Sequence, residues 1–214
     1  VFAEQKMGGE AFRSYMEAYG IGKETGIEVP NETKGLTDNL KSGREVEYAT
    51  ASFGQGIAMS PIATARALST LANGGLLIEP YLVDRIDYKN GGSKKTYPDE
   101  GTRVLKKETS EEITRMLVKV VDEALLGGTV ALPHYSVAAK TGTAQIADPK
   151  QGGYYDARYL HSFFGYFPAY NPQFLIFLYN VNPKEVRYAS QTLTSPFIDI
   201  TKFLINYYEV PPDR

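Results

Sequence analysis

Val137-Ala138-Ala139-Lys140-Thr141-Gly142-Thr143-Ala144-Gln145-Ile146 is the stretch that decides the fold of this chain. Its small, hydroxyl and β-branched residues carry no helical spacing, and the segment 136–146 reads as a strand. Side chains alternate across a strand, so Thr141 and Thr143 fall on one face. Two further strand-like runs follow with no helical pattern between them, at 161–167 and 174–181. The second is an apolar run with Pro172 before it and Pro183 after it.

Upstream of these strands the periodicity is helical. A first helix is expected over 10–19, with Phe12, Tyr15, Met16 and Tyr19 on one face and Gly20 and Gly22 ending it. Residues 25–47 are rich in Gly, Asn and Thr and read as a long irregular connection, a length that hints at a functional or wrapping loop. A second helix is expected over 61–73, capped by Ser60 with Pro61 at its first position and stopped by Gly74-Gly75. Lys89-Asn90-Gly91-Gly92 joins the runs 81–88 and 94–97 as a hairpin. A third helix is expected to start at a capping box, Thr109 with Glu112 three residues on. It continues through Ile113, Met116, Leu117, Val120, Val121, Ala124 and Leu125 to Gly127-Gly128. A last helix is expected from about Pro196, with Phe197, Ile200, Leu204 and Tyr208 on one face and Pro211-Pro212 after it. Helices, then consecutive strands, then a closing helix predict an α+β fold with an antiparallel sheet rather than a βαβ repeat.

Composition narrows the function. A chain of 214 residues suits one domain or a large part of one. A net charge of −2, with Lys and Arg scattered, gives no electrostatic reason to expect nucleic acid as a partner. With no cysteine, disulfides and thiolate metal sites do not arise. His134 and His161 are the only histidines and form no ligand pair, so a histidine-rich metal site is excluded. The longest apolar runs fall far short of the ~20 residues that span a bilayer, and no leader pattern is present. The chain opens at Val1 directly in helical pattern, which reads as a fragment whose membrane anchor would lie upstream.

Lys140-Thr141-Gly142-Thr143 carries the chemistry. Lys140 supplies a cation beside a developing negative charge or a proton-relaying group. Two threonine hydroxyls can donate to a carboxylate. Gly142, without a side chain, lets another backbone approach and pair as an added strand, and an N–H just after it can point at a carbonyl oxygen. Lys-Thr-Gly alone is a weak signal, since turns and bulges use the same residues. The context strengthens it. Lys-Thr-Gly belongs, with Ser-x-x-Lys and Ser-Asp-Asn, to the motif set of β-lactamases and penicillin-binding proteins. Around it, 53–57 (Phe-Gly-Gln-Gly-Ile), Ser60-Pro61, 71–75 (Leu-Ala-Asn-Gly-Gly), Gly20-Ile21-Gly22 with 25–30 (Thr-Gly-Ile-Glu-Val-Pro), 139–145 (Ala-Lys-Thr-Gly-Thr-Ala-Gln), 162–165 (Ser-Phe-Phe-Gly) with Pro168, and Pro196-Phe197 occur in the order of class B penicillin-binding proteins, which the chain resembles, particularly the division-type ones.

The departures are specific. No serine stands three residues before a lysine; Ser136 is four before Lys140. No Ser-x-Asn occurs either. Ala139 stands where many members have Gly. The resemblance therefore implies residues 1–214 as the C-terminal portion of a single transpeptidase domain of the serine β-lactamase/D,D-transpeptidase fold, without its N-terminal strands and nucleophile helix. It implies an extracytoplasmic parent that cross-links peptidoglycan stem peptides through a serine acyl-enzyme, binds β-lactam antibiotics and works with division or elongation membrane proteins. Lys140 would be catalytic; Thr141, Gly142 and Thr143 would hold substrate, the Thr143 amide would share the oxyanion hole, and no metal or organic cofactor is implied. The competing readings are a β-lactam sensor or degenerate penicillin-binding module without turnover, and a β-lactamase, against which the Phe-Gly-Gln-Gly context argues. His161 and Ser162, adjacent on a strand, point to opposite faces and cannot relay to each other, so His161 is given a structural or surface role. Tyr154, Tyr155 and Tyr159 are expected in a loop between strands, and Glu24, Glu28 and Glu32 have no catalytic spacing.

Overall fold

A computed structural model describes all of residues 1–214, and these divide into two compact units. The first comprises Val1–Thr70 and Gly75–Lys106. It holds helices α1 (Phe2–Met7), α2 (Gly9–Ala18), α3 (Glu45–Ala51) and most of α4 (Pro61–Ala72), with the short strands β1 (Leu76–Leu77), β2 (Arg85–Asp87), β3 (Ser93–Lys95) and β4 (Thr102–Arg103). Phe12, Leu40, Tyr48 and Ala51 form its buried cluster, with Met16, Ile21 and Ile57 packed against it. Tyr48 packs against Gly9, where a Cβ would come within 2.5 Å of the ring.

Ser60 caps α4 as its sequence predicts: its Oγ accepts the Ala63 amide at 3.2 Å. The hairpin β2–β3 forms around the predicted turn, with Asp87 opposite Ser93. The connection after α2 is irregular only as far as Thr37; a 3-10 turn at Asp38–Lys41 and α3 follow. Its first part closes on Glu32, whose carboxylate accepts from the Thr25 amide (2.8 Å), the Thr25 hydroxyl (2.7 Å) and the Gly26 amide (3.1 Å). Burial pushes the Glu32 carboxyl up, but these hydrogen bonds and the Arg66 charge outweigh it and hold it below the ordinary glutamate range. Glu32 thus acts as the clasp of this loop.

The second unit, Leu71–Gly74 with Lys107–Arg214, contains α5 (Lys107–Lys119), β5 (Ala138–Ala147), β6 (Tyr154–Phe167), β7 (Phe174–Val181) and α6 (Ala189–Tyr207). The three strands form an antiparallel sheet in the order β5-β6-β7. Pairing sets Ala139 opposite Gly165 and Thr143 opposite His161; Gly165 in turn faces Ile176. One face of the sheet therefore carries Ala139, Thr141, Thr143, His161, Phe163, Gly165 and Ile176. Against it α6 lays Leu193, Phe197 and Ile198, with Phe197 stacked on Phe163 at 4.3 Å. That aromatic pair is worth ~0.5–1.5 kcal/mol beyond its burial. The other face carries Ala138, Tyr166, Phe164 and Leu175 against Leu117 and Val118 of α5.

Three expectations are corrected here. First, α5 starts at Lys107, so Thr109 and Glu112 lie inside it and form no capping box. Its buried stripe is Ser110, Thr114 and Val118, continued past its end by Val121 and Leu125, and Met116 is exposed. The cause is polar: Ser110 Oγ donates to the Leu71 carbonyl at 2.7 Å, and Thr114 Oγ1 lies 2.7 Å from the Tyr166 hydroxyl. Hydroxyls satisfied in this way are buried without penalty, which turns the helix away from the face that hydrophobicity alone predicts. Burial raises the Tyr166 phenol above its ordinary value, keeping it neutral. Second, α6 starts at Ala189 and carries Pro196 within it. Proline removes one helical amide, but Ala189, Leu193 and Thr194 are buried ahead of it, and their burial holds the additional turns. Third, Tyr154, Tyr155 and Tyr159 belong to β6, which is twice the predicted length.

The chain end fastens the start of β5. Asp213 accepts the Ser136 amide at 2.7 Å and the Ser136 hydroxyl, and Ser136 Oγ also accepts the Ala169 amide at 2.9 Å. Arg214 pairs with Asp122 and donates to the Leu132 carbonyl. No helix of the chain is long and apolar enough to cross a membrane.

Candidate active site

Lys140, Thr141, Gly142 and Thr143 all lie in β5, in extended backbone, as the sequence predicts. β5 is an outer strand: β6 pairs with one of its edges, and no strand pairs with the other. An unpaired edge offers alternate amides and carbonyls to an extended ligand. Upstream, Val137, Ala138 and Ala139 are fully buried; from Lys140 the strand emerges, with Lys140 and Thr143 exposed and Thr141 and Gly142 half-buried. The tetrapeptide thus sits where a rigid buried strand meets solvent.

Alternation separates its side chains. Lys140 stands on the α5 face opposite Phe164, and its ammonium donates to the Thr141 carbonyl at 2.8 Å. Thr141 and Thr143 stand together on the α6 face. Thr143 Oγ1 accepts the backbone amide of Ala189 at 3.0 Å, at the start of α6. A hydroxyl has two lone pairs and one proton, so accepting from Ala189 leaves the Thr143 proton available to a carboxylate. Gly142 leaves room for its neighbour across the strands, since a Cβ there would lie 2.6 Å from Ser162 Oγ and would turn that hydroxyl aside.

His161 and Ser162 face opposite ways, as strand alternation demands. Ser162 lies beside Gly142, while His161 is fully buried toward α6. Its Nδ1 is 2.8 Å from Thr192 Oγ1 and its Nε2 is 2.9 Å from the Arg187 carbonyl. The partners that α6 gives to Thr143 and His161 escape a reading of the sequence that starts the last helix at Pro196. Gln191 is the signal that could have found them: its side chain accepts the Tyr188 amide at 3.2 Å and marks the true helix start. The tyrosines of β6 do not converge on the tetrapeptide. Arg158 lies over the Tyr155 ring at 4.1 Å, and Ala147 pairs with Tyr154 beyond an irregularity in the register.

Comparison with known proteins finds relatives along nearly the whole chain. The chain is 33% identical over 198 residues to stage V sporulation protein D of Bacillus subtilis, covering 91% of this chain and 30% of that protein. It is 30% identical over 208 residues to the peptidoglycan D,D-transpeptidase FtsI of Buchnera aphidicola, covering 96% of this chain and 34% of the relative. The chain therefore spans about a third of the length of these relatives. Among solved structures, penicillin binding protein 3 of Mycobacterium tuberculosis complexed with ampicillin superimposes with a TM-score of 0.88 at 26% identity, over 98% of this chain and 48% of that one. The family described as penicillin binding protein transpeptidase domain matches residues 1–202, and with it the arrangement of β5 on its sheet has a name: the chain belongs to the penicillin-binding-protein transpeptidase family, among its class B members.

Proposed function

We propose that this chain is the C-terminal portion of a single transpeptidase domain and supplies the substrate-binding strand of a peptidoglycan D,D-transpeptidase. The observation that supports this reading most is the Lys140-Thr143 tetrapeptide on the open edge of β5, with two hydroxyls on one face and a lysine on the other. In the reaction a serine upstream of Val1 attacks the D-Ala-D-Ala carbonyl of a stem peptide, and the terminal D-Ala leaves as its nitrogen takes up a proton. The resulting ester passes its acyl group to an amine of a neighbouring stem, restoring the serine. Penicillins would enter by acylating the same serine.

Each group of β5 has a task in that sequence. The ligand backbone pairs along the free edge, which orients the scissile carbonyl. The Thr141 and Thr143 hydroxyls hold the terminal carboxylate of substrate or drug. The Thr143 amide, at the exposed end of the tetrapeptide, shares the oxyanion hole. Lys140 steadies charge and protons around the nucleophile. The parent would work at the extracytoplasmic face of the membrane, held by an upstream helix and accompanied by membrane proteins of division or elongation.

A fluorescent penicillin tests the proposal in the full-length protein. Wild type forms one covalent adduct on a serine outside these 214 residues. Lys140→Ala slows acylation about 10²-fold or more with unchanged folding, the usual reach of a positioned proton-transfer group. The 214-residue chain by itself takes no label. Acylation of Lys140→Ala near the wild-type rate would remove Lys140 from the chemistry, and a stable adduct on the isolated chain would overturn the assignment of the nucleophile.

A further inference from the structure

His161 is wholly buried, sits directly across the sheet from Thr143, and spends both ring nitrogens on one short stretch of chain. A carbonyl only accepts, so Nε2 carries a proton and donates it to Arg187 (2.9 Å), while Nδ1 meets Thr192 Oγ1 at 2.8 Å. Between these two anchors lies Ala189, whose amide donates to Thr143 Oγ1 at 3.0 Å. Thr192 Oγ1 also reaches the Ala189 carbonyl at 3.3 Å. One imidazole thus fixes the backbone on both sides of the single amide that engages Thr143. The chain leading into it has no regular structure between Val181 and Ala189 and passes through positive φ at Asn182 (54°) and Glu185 (61°), so the helix start depends on such anchors.

We propose that His161 is a positioning residue for the ligand carboxylate: through Arg187 and Thr192 it holds the Ala189 amide on Thr143, and so aims the Thr143 proton outward. The proposal rests on the carboxylate-binding reading of Thr143 given above. With Ala189 in place, one lone pair of the hydroxyl is taken and its proton must turn elsewhere. With Ala189 released, the hydroxyl rotates among three staggered positions and no longer presents its proton in one direction.

The experiment uses the full-length transpeptidase and two probes, a penicillin and its methyl ester, with the Kd of the non-covalent complex and the acylation rate constant measured separately. His161→Phe keeps a ring in the buried site and removes both hydrogen bonds. It is expected to weaken penicillin binding about tenfold, the scale of one hydrogen bond to a charged group. The acylation rate constant and the binding of the ester should stay within about twofold of wild type. Thr143→Val is expected to weaken penicillin binding at least as much as His161→Phe, and the double variant to bind penicillin no worse than Thr143→Val alone, since coupled residues are not additive. Thr192→Val, which removes one half-buried anchor on α6, should give the same acid-selective loss in smaller measure; it stands in for His161→Phe if that protein does not fold. Equal loss for acid and ester, full additivity with Thr143→Val, or unchanged penicillin binding in the folded variants would overturn the proposal. A wild type whose binding does not distinguish acid from ester would instead sink the carboxylate reading of Thr143.

Discussion

Gly165→Ala is the perturbation whose outcome the packing specifies most sharply. A Cβ at Gly165 would stand 2.5 Å from Phe197 Cζ, 2.7 Å from Ala139 Cβ and 2.9 Å from the Ala138 carbonyl oxygen. Carbon atoms prefer ~3.5–4.0 Å, so about 1 Å must be opened on two sides at once. Neither side has room to give. Phe197 is fully buried and stacked on Phe163, and Ala138 and Ala139 are buried strand backbone. Overpacking of this kind costs ~1–3 kcal/mol, and three simultaneous contacts place this case at the upper end. For a domain of this size that lowers the melting temperature by about 4–12 °C. Because Ala139 precedes Lys140, the displaced backbone also carries the tetrapeptide with it, and penicillin acylation of the full-length enzyme slows. Calorimetry and acylation kinetics on one preparation measure both. The pair Ala139→Gly with Gly165→Ala removes the Cβ–Cβ clash and recovers part of each loss, Phe197 accounting for the rest. A Gly165→Ala enzyme with a melting temperature and acylation rate equal to wild type would refute the packing of α6 on β5 and β6 described above.

Two further outcomes follow from the hydrogen bonds. Asp213→Ala leaves the buried Ser136 amide without its 2.7 Å partner and costs ~1–3 kcal/mol, read as a shift of the urea unfolding midpoint; a shift near zero would mean that the chain end does not fasten β5. Glu32 titrates below its ordinary 4.5 in the folded loop, so its stabilisation is complete above that value and is lost as pH falls through the depressed pKa. The protection factors of the Thr25 and Gly26 amides, their exchange rates corrected for the intrinsic pH dependence, should therefore fall on acidification below that range, and Glu32→Gln should flatten the dependence; an unchanged profile in the variant would remove Glu32 from the loop.

The sheet was legible in the sequence because strands leave two independent marks, alternation and bounding prolines. The stretch at 136–146 carries the first, through Thr141 and Thr143, and the apolar run at 174–181 carries the second; they form as β5 and β7 within two residues of the expected ends. The tetrapeptide's position on β5 follows from the same alternation. Helix starts were less legible. Thr109 and Pro196 each carry a strong local signal, yet both lie inside longer helices whose first turns are held by contacts distant in sequence: Ser110 with Leu71, and Ala189 with Thr143. A cap is a local preference of about 1 kcal/mol, and tertiary burial of one turn exceeds it. The partners of Thr143 were hidden for that reason. They belong to a helix start that only the folded sheet stabilises.

The central claim is that the open edge of β5 at residues 140–143 receives an extended ligand ending in a carboxylate. A crystal structure of the full-length enzyme acylated by a penicillin measures it most directly. The account predicts the drug carboxylate about 2.7 Å from the Thr141 and Thr143 hydroxyls, with the acyl carbonyl oxygen at about 2.9 Å from the Thr143 amide. An adduct whose carboxylate is held by other residues, with β5 left uncontacted, would contradict it.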